Sequence, residues 1–378
     1  MTYCQKKFGE KYFDFMKQVE DIGIGVLHYK LLSFNENITW DIVKDNLDKD
    51  WNWDGISRNK NITWEIVKNN PNIKWNYASL PMNPNINLDI VKQNIHLNWS
   101  WYTMCNVKDL TWEFILENKH ENWCWFIISK LPIITWDIIQ STSEDIWEWL
   151  YIGDNPNITF DIVLNNINIP WNFRKLSKNP NVTWEIIESN PDYPWSDNLI
   201  SANPNITWKI VKNNPQISWN YYYLSSNPGI TWDDISQSNM DDVWQWDKVS
   251  INPNITWEIV QQNPSKPWDY SCLTINPNIT YEIIKDNDEL PWNYDEIFQN
   301  PNLTFDIIKN DEELRDYSSD CISLNTFSKQ KKLFLEEKKR EYLAAYKIQQ
   351  WWFKITMSPY YLIGRKFIEK KSLILFDA

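Results

Sequence analysis

The chain has 378 residues, 43% hydrophobic and 23% charged, which is enough apolar content to bury a core and too much for a disordered chain. With 7 glycines and 3 histidines there is little material for phosphate-cradling loops or for histidine-based catalysis and metal binding, whereas Trp (26), Pro (19) and Asn (46) are in excess. The formal charge of −13 argues against a nucleic-acid binder overall, but it is uneven: Lys329 to Lys371 hold 12 basic and 4 acidic residues, a net of +8, leaving −21 elsewhere.

At the start, MTYCQKKFGEKYFDFMKQVED lacks the apolar stretch of a signal peptide, and no segment reaches the roughly 18 to 20 apolar residues of a membrane span. A soluble intracellular protein is expected, with residues 1–33 as an N-terminal cap. The five cysteines, Cys4, Cys105, Cys124, Cys272 and Cys321, are irregularly spaced with no CxxC, so reduced structural thiols are expected.

From residue 34 to 322 the chain repeats. An aromatic after Thr recurs at Trp40, Trp64, Trp112, Trp136, Phe160, Trp184, Trp208, Trp232, Trp257, Tyr281 and Phe305, with Leu88 in the same register; every step is 24 except one of 25. A second aromatic follows eleven residues on, as at Trp51, Trp75 and Trp99, and a third two residues later, as at Trp53, Tyr77 and Trp101. Of the 26 tryptophans, 24 fall on these three positions. Fixed register through twelve units is what a stacked core requires, and each ring removes about 150 to 250 Å² from water, so these rings read as core before they read as sugar-binding or base-stacking platforms.

In the unit Asn203–Ser226, Asn203-Pro204-Asn205-Ile206 reads as a turn and Thr207 as the N-cap of a short helix. An acidic residue in most first turns suits the helix dipole, and Asn214 before Pro215 ends the helix after about two turns. Proline just before the second aromatic, as in Pro170-Trp171 and Pro194-Trp195, predicts a second short α or 3-10 helix opening there. Helices this short are unstable alone, so the expectation is an all-α solenoid of about twelve 24-residue repeats with special ends. A strand-based coil is the rival, disfavoured by the capping Thr and the lack of turn glycines.

The turn NPN, a short helix and a second helical segment ending in another NP resemble the leucine-rich-repeat variant family, over about residues 35 to 322. That likeness implies alternating α and 3-10 helices in a curved solenoid; Trp, Tyr and Ile in place of smaller residues leave the curvature open. The NPNITWEIV-type units and the tail AAYKIQQWWFKITMSPYY are also similar to repeat proteins of giant amoeba-infecting DNA viruses of the mimivirus type. That resemblance implies no assigned function.

Residues 323–378 form the basic C-terminal part, with one helix predicted over Ser328 to Ser358, before Pro359. Ile348-Gln349 with its bulky and basic neighbours resembles the IQ motif that calmodulin-like proteins grip, although Phe353 stands where that motif has Arg or Lys and no Gly follows. The tail either caps the solenoid against its own acidic face or meets an outside partner: a protein groove, a membrane surface or a nucleic acid.

Other motifs reduce to structure. Asn-x-Thr, as at Asn61, Asn157 and Asn205, is turn-and-cap chemistry rather than glycosylation; His28, His96 and His120 are scattered; Gly23-Ile24-Gly25 lacks the rest of a nucleotide loop. Asp41, Glu65, Glu113 and Asp137 form a ladder of helix starts, whereas an active site is a singular constellation. No catalytic, metal or cofactor-binding residue is identified, and no cofactor is expected. The reading is a non-enzymatic protein-protein interaction scaffold; the alternatives are a self-assembling component of a virion or viral factory and a carbohydrate-binding module using exposed Trp. Candidate partner contacts are Tyr102, Arg174, Lys175, Tyr222 and Tyr223 at variable positions of second helices, and Ile348, Gln349 and Trp352 in the tail.

Overall fold

The computed structural model describes residues 3–21, 27–143, 146–238, 243–312, 314, 320–358, 360–361, 363 and 365–366. The chain is an all-α solenoid: apart from longer helices at either end, short helices alternate in a regular array, and the described residues contain no strand, only an isolated bridge between Asn87 and Lys108. Gly23 and Gly25 lie outside the described residues.

Each unit's first helix starts where the sequence places it. The Thr63 hydroxyl accepts from Ile66 N–H to open Trp64–Asn69, and Thr111, Thr135, Thr256 and Thr304 repeat this bond. Asn at the helix end does two things at once. Asn70 Nδ2 donates back to Ile66 O, while its own carbonyl accepts the indole N–H of Trp75; Asn166 and Trp171, and Asn214 and Trp219, repeat the pair. The second aromatic thus obtains the polar partner a buried indole requires. It precedes the second helix rather than opening it, which corrects the proline-based expectation. Trp75 N–H bonds to Ile73 O, two residues back, and the helices begin two residues later, as in Trp53–Arg58 and Tyr221–Leu224.

Stacking between units uses the three aromatic positions differently. Trp171 is buried and meets Trp136 and Trp149 of the preceding unit at ring-centroid distances of 5.6 and 6.0 Å. Trp75 and Trp268 are held the same way, by Trp40 and Trp53 and by Trp232 and Trp246. The contacts are tilted against the first aromatic and edge-on against the third, as the ring quadrupole favours.

A second ladder runs through the turns at Asn35, Asn59, Asn83, Val107, Leu131, Asn155, Asn179, Asn203, Asn227, Asn252, Asn276, Asn300 and Asn325. Asn83 Nδ2 donates to the carbonyls of Ser57, Asn59 and Ile62 in the previous unit, while its Oδ1 accepts Asn85 N–H. Asn203 repeats the set with Ser177, Asn179 and Val182. A buried amide is thereby satisfied, and so are the Ser57 and Ile62 carbonyls, while Asn59 O, which accepts Ile62 N–H within the turn, gains a second donor. A third ladder places a hydroxyl behind it: Ser33, Ser57, Ser177, Ser201 and Ser250 accept from the backbone N–H nineteen residues ahead. Val107 and Leu131 interrupt the amide ladder; near Val107, Leu88 N–H bonds to Lys108 O instead.

The ladder closes on itself. Asn35 Nδ2 donates to Ser323 O and Asn325 O, both at 3.0 Å, and Asn37 Nδ2 donates to Thr326 O at 2.9 Å. These are the contacts Asn83 and Asn85 make one unit back, so the first turn sits on the last in the common register. Twelve units, anchored by eleven aromatics and Leu88, are joined by a thirteenth assembled from both chain ends. Asn325 supplies its turn, with Phe327 N–H on Asn325 Oδ1, and Tyr29–Leu32 supplies its second helix, with Tyr29 edge-on to Trp51 at 4.9 Å. The N-terminal helix, Tyr3–Asp21, fills the remaining place: Phe15 stacks on Phe305 at 4.3 Å and meets Phe327 at 5.4 Å. Tyr12, fully buried, donates to Ser323 O and accepts from Asn35, and burial pushes its phenol far above the ordinary value. The described residues of 1–33 therefore do not cap a free end: Tyr3–Asp21 lies across the seam of a ring.

Candidate interaction surface

The C-terminal helix, Ser328–Thr356, starts at the residue the sequence predicts and ends two residues before Ser358; its start lies at that seam. Its first turns are tied down. Lys331 Nζ reaches Glu36 Oε1 at 2.6 Å and Asn37 Oδ1 at 3.0 Å, and Phe334 packs against Phe8 at 5.6 Å. Burial opposes ionisation of Glu36, but Lys331 and Lys60 outweigh it and hold the carboxyl below its ordinary value. The base of the C-terminal helix thus contributes to closure.

Beyond that base the helix stands away from the ring. Every residue from Lys339 to Lys354 is exposed, including Tyr342 (69%), Ile348 (65%), Trp351 (60%), Trp352 (53%) and Phe353 (58%). At 1.5 Å per residue the helix is about 43 Å long, and the exposed stretch is about 24 Å of it. No repeat Trp is exposed, so the two tryptophans outside the repeat are the two that face solvent. Single exposed apolar residues need no explanation, but a cluster of this kind does.

Of the residues singled out in the sequence, Ile348, Gln349 and Trp352 lie together on this exposed stretch. Tyr102, Arg174 and Tyr222 occupy the same register on second helices, just after the third aromatic, and all three are exposed, but they are three and two units apart and form no single site. Lys175 is half-buried, 3.3 Å from Asp154 and over the Tyr151 ring; Tyr223 is half-buried with its ring edge-on to Tyr222 at 5.4 Å. Trp351 and Phe353 were missed, although the sequence tally itself leaves Trp351 and Trp352 outside the repeat.

The remaining chemistry is quiet. Among the described residues no group of three or more His, Cys, Asp or Glu side chains could hold a metal ion. Burial pushes the Cys105 thiol up to about 11, and Cys272 is raised chiefly by burial, so neither is a ready nucleophile. The acids of the helix-start ladder are exposed, and where one is perturbed the cap is the cause: the Thr183 hydroxyl lowers Glu185, and Thr280 lowers Glu282. Clefts of about 510 Å³ beside Trp208 and Trp219 and about 280 Å³ beside Trp184 and Trp195 are gaps between neighbouring units, lined by packing residues. Asn61, Asn157 and Asn205, the sequon asparagines, bond to carbonyls of the preceding unit. Among the described residues no helix is long and apolar enough to cross a membrane. The chain matches no family model, no curated protein and no solved structure.

Proposed function

We propose that this protein is a non-enzymatic interaction scaffold, in which the ring holds the base of the C-terminal helix and offers the rest of it to a protein partner. The observation that carries this reading is the division of tryptophans: all 24 in the repeat are engaged in packing, and both outside it are exposed on one helix. In this reading the protein works inside a cell or virion, in keeping with the resemblance of its repeats to those of giant amoeba-infecting viruses. Quantitative affinity capture from the source cells with wild type and W351A/W352A tests it. A partner enriched by wild type and lost from the variant is expected, with circular dichroism unchanged; identical captured sets would refute it.

Self-assembly is the second reading, favoured by apolar exposure on the same helix. It predicts dimers or larger species by light scattering at micromolar concentration, whereas the scaffold reading predicts a monomer. The carbohydrate-binding alternative uses exposed Trp; the repeat offers none, which leaves Trp351 and Trp352 on the C-terminal helix as its only candidates.

A further inference from the structure

Resting on the interaction reading, we infer that the exposed stretch of the C-terminal helix docks an acidic, calmodulin-like protein that wraps around a helix. The first argument is angular. At about 100° per residue, Leu343 and Trp352 project about 180° apart and Tyr346 and Ile348 about 160° apart, and all four are exposed. A bilayer surface or a flat protein face covers one side of a helix and leaves the other apolar side in water; a partner with two apolar lobes covers both.

Charge supplies the second argument. From Tyr342 to Ser358 there is no acidic residue, and Arg340, Lys347 and Lys354 recur every seven positions, which aligns them in one stripe. A second copy of this stretch would bring the same basic residues and no acidic one to pair with them, so it is disfavoured, whereas a partner with an acidic rim is complementary. Ile348, Trp352 and Ile355 then provide the i, i+4, i+7 anchors of helix-in-groove recognition, with Gln349 exposed beside them. The partial IQ pattern at Ile348-Gln349 fits this class of partner, and the departure at Phe353 substitutes an apolar contact for a charged one.

The test is isothermal titration of the full chain with calmodulin, with calcium and with chelator, alongside co-sedimentation with phosphatidylcholine/phosphatidylserine vesicles. A 1:1 complex in at least one calcium state is expected, weakened at least about tenfold by W351A/W352A and likewise by K347E/K354E. The ring lies away from these positions, so both variants should keep the wild-type circular dichroism. No binding to calmodulin at tens of micromolar overturns the inference. So do vesicle binding without calmodulin binding, which points to a lipid surface, and concentration-dependent self-association lost in W351A/W352A, which points to a second copy. If calmodulin fails while affinity capture still loses a partner in W351A/W352A, this inference falls and the interaction reading stands; if capture is also unchanged, both fall.

Discussion

Asn35→Ala should open the ring at one place. The Asn35 amide serves Tyr12 Oη, Ser323 O and Asn325 O, each at 3.0 Å, in a fully buried setting. Removing it strands Asn325 O and the Asn37 N–H that bonds to Asn35 Oδ1, and leaves Ser323 O only the 3.2 Å bond from the Tyr12 hydroxyl; at about 1 to 3 kcal/mol for each stranded group, roughly 2 to 6 kcal/mol is lost. The matching substitution Asn203→Ala removes the same kind of bonds from Ser177, Asn179 and Val182, but inside a continuous chain where the units stay tethered. The seam has no covalent link between its halves, so the loss there appears as local opening rather than as a general fall in stability. Native-state hydrogen exchange reads this directly. Phe327 N–H and Lys331 N–H, which bond to Asn325 Oδ1 and Phe327 O and are not themselves touched by the substitution, should lose protection by about 30-fold or more in N35A. They should keep it in N203A. Small-angle scattering should show a larger radius of gyration for N35A alone. Unchanged protection at Phe327 and Lys331 in N35A would show that the seam does not depend on this amide.

Trp171→Leu removes a ring held between Trp136 and Trp149 together with its bond to Asn166 O, and should cost about 3 kcal/mol in urea denaturation; a loss under about 1 kcal/mol would refute the role given to the second aromatic. Because Glu36 is held below its ordinary carboxyl value of 4.5, it contributes stability above that pH and loses it as pH falls through the lower folded value. The thermal midpoint of wild type should therefore drop more steeply below about pH 4.5 than that of E36Q, and parallel pH profiles would dismiss the Lys331–Glu36 contact as a stabiliser. Gly9→Ala places a Cβ about 2.5 Å from Asn37 O and 2.8 Å from the Thr39 methyl, so the N-terminal helix must lift from the seam. Faster proteolysis near residues 3–21 is the expected readout, and wild-type resistance would show that the helix adjusts without undocking.

The repeat was legible because it is made of local chemistry. Thr caps, Asn before Pro and the 24-residue period set the first helix, its end and the turn without reference to anything distant, and the structure follows them. The start of the second helix was misread by two residues: Pro170 before Trp171 looks like a helix start, but burial of the indole and its bond to Asn166 O hold the tryptophan in the connection instead. The tally of tryptophans also contained the exposed surface, since Trp351 and Trp352 were the two left over. What the sequence does not encode locally is the sum of small rotations between units. Asn35 is spelled like every other turn asparagine, and its partners at Ser323 and Asn325 lie nearly 290 residues away, brought within 3.0 Å by curvature accumulated over the whole array. Closure, the composite thirteenth unit, the seam position of the N-terminal helix and the projection of the C-terminal one are decided there, because only in three dimensions do those increments add to a full turn.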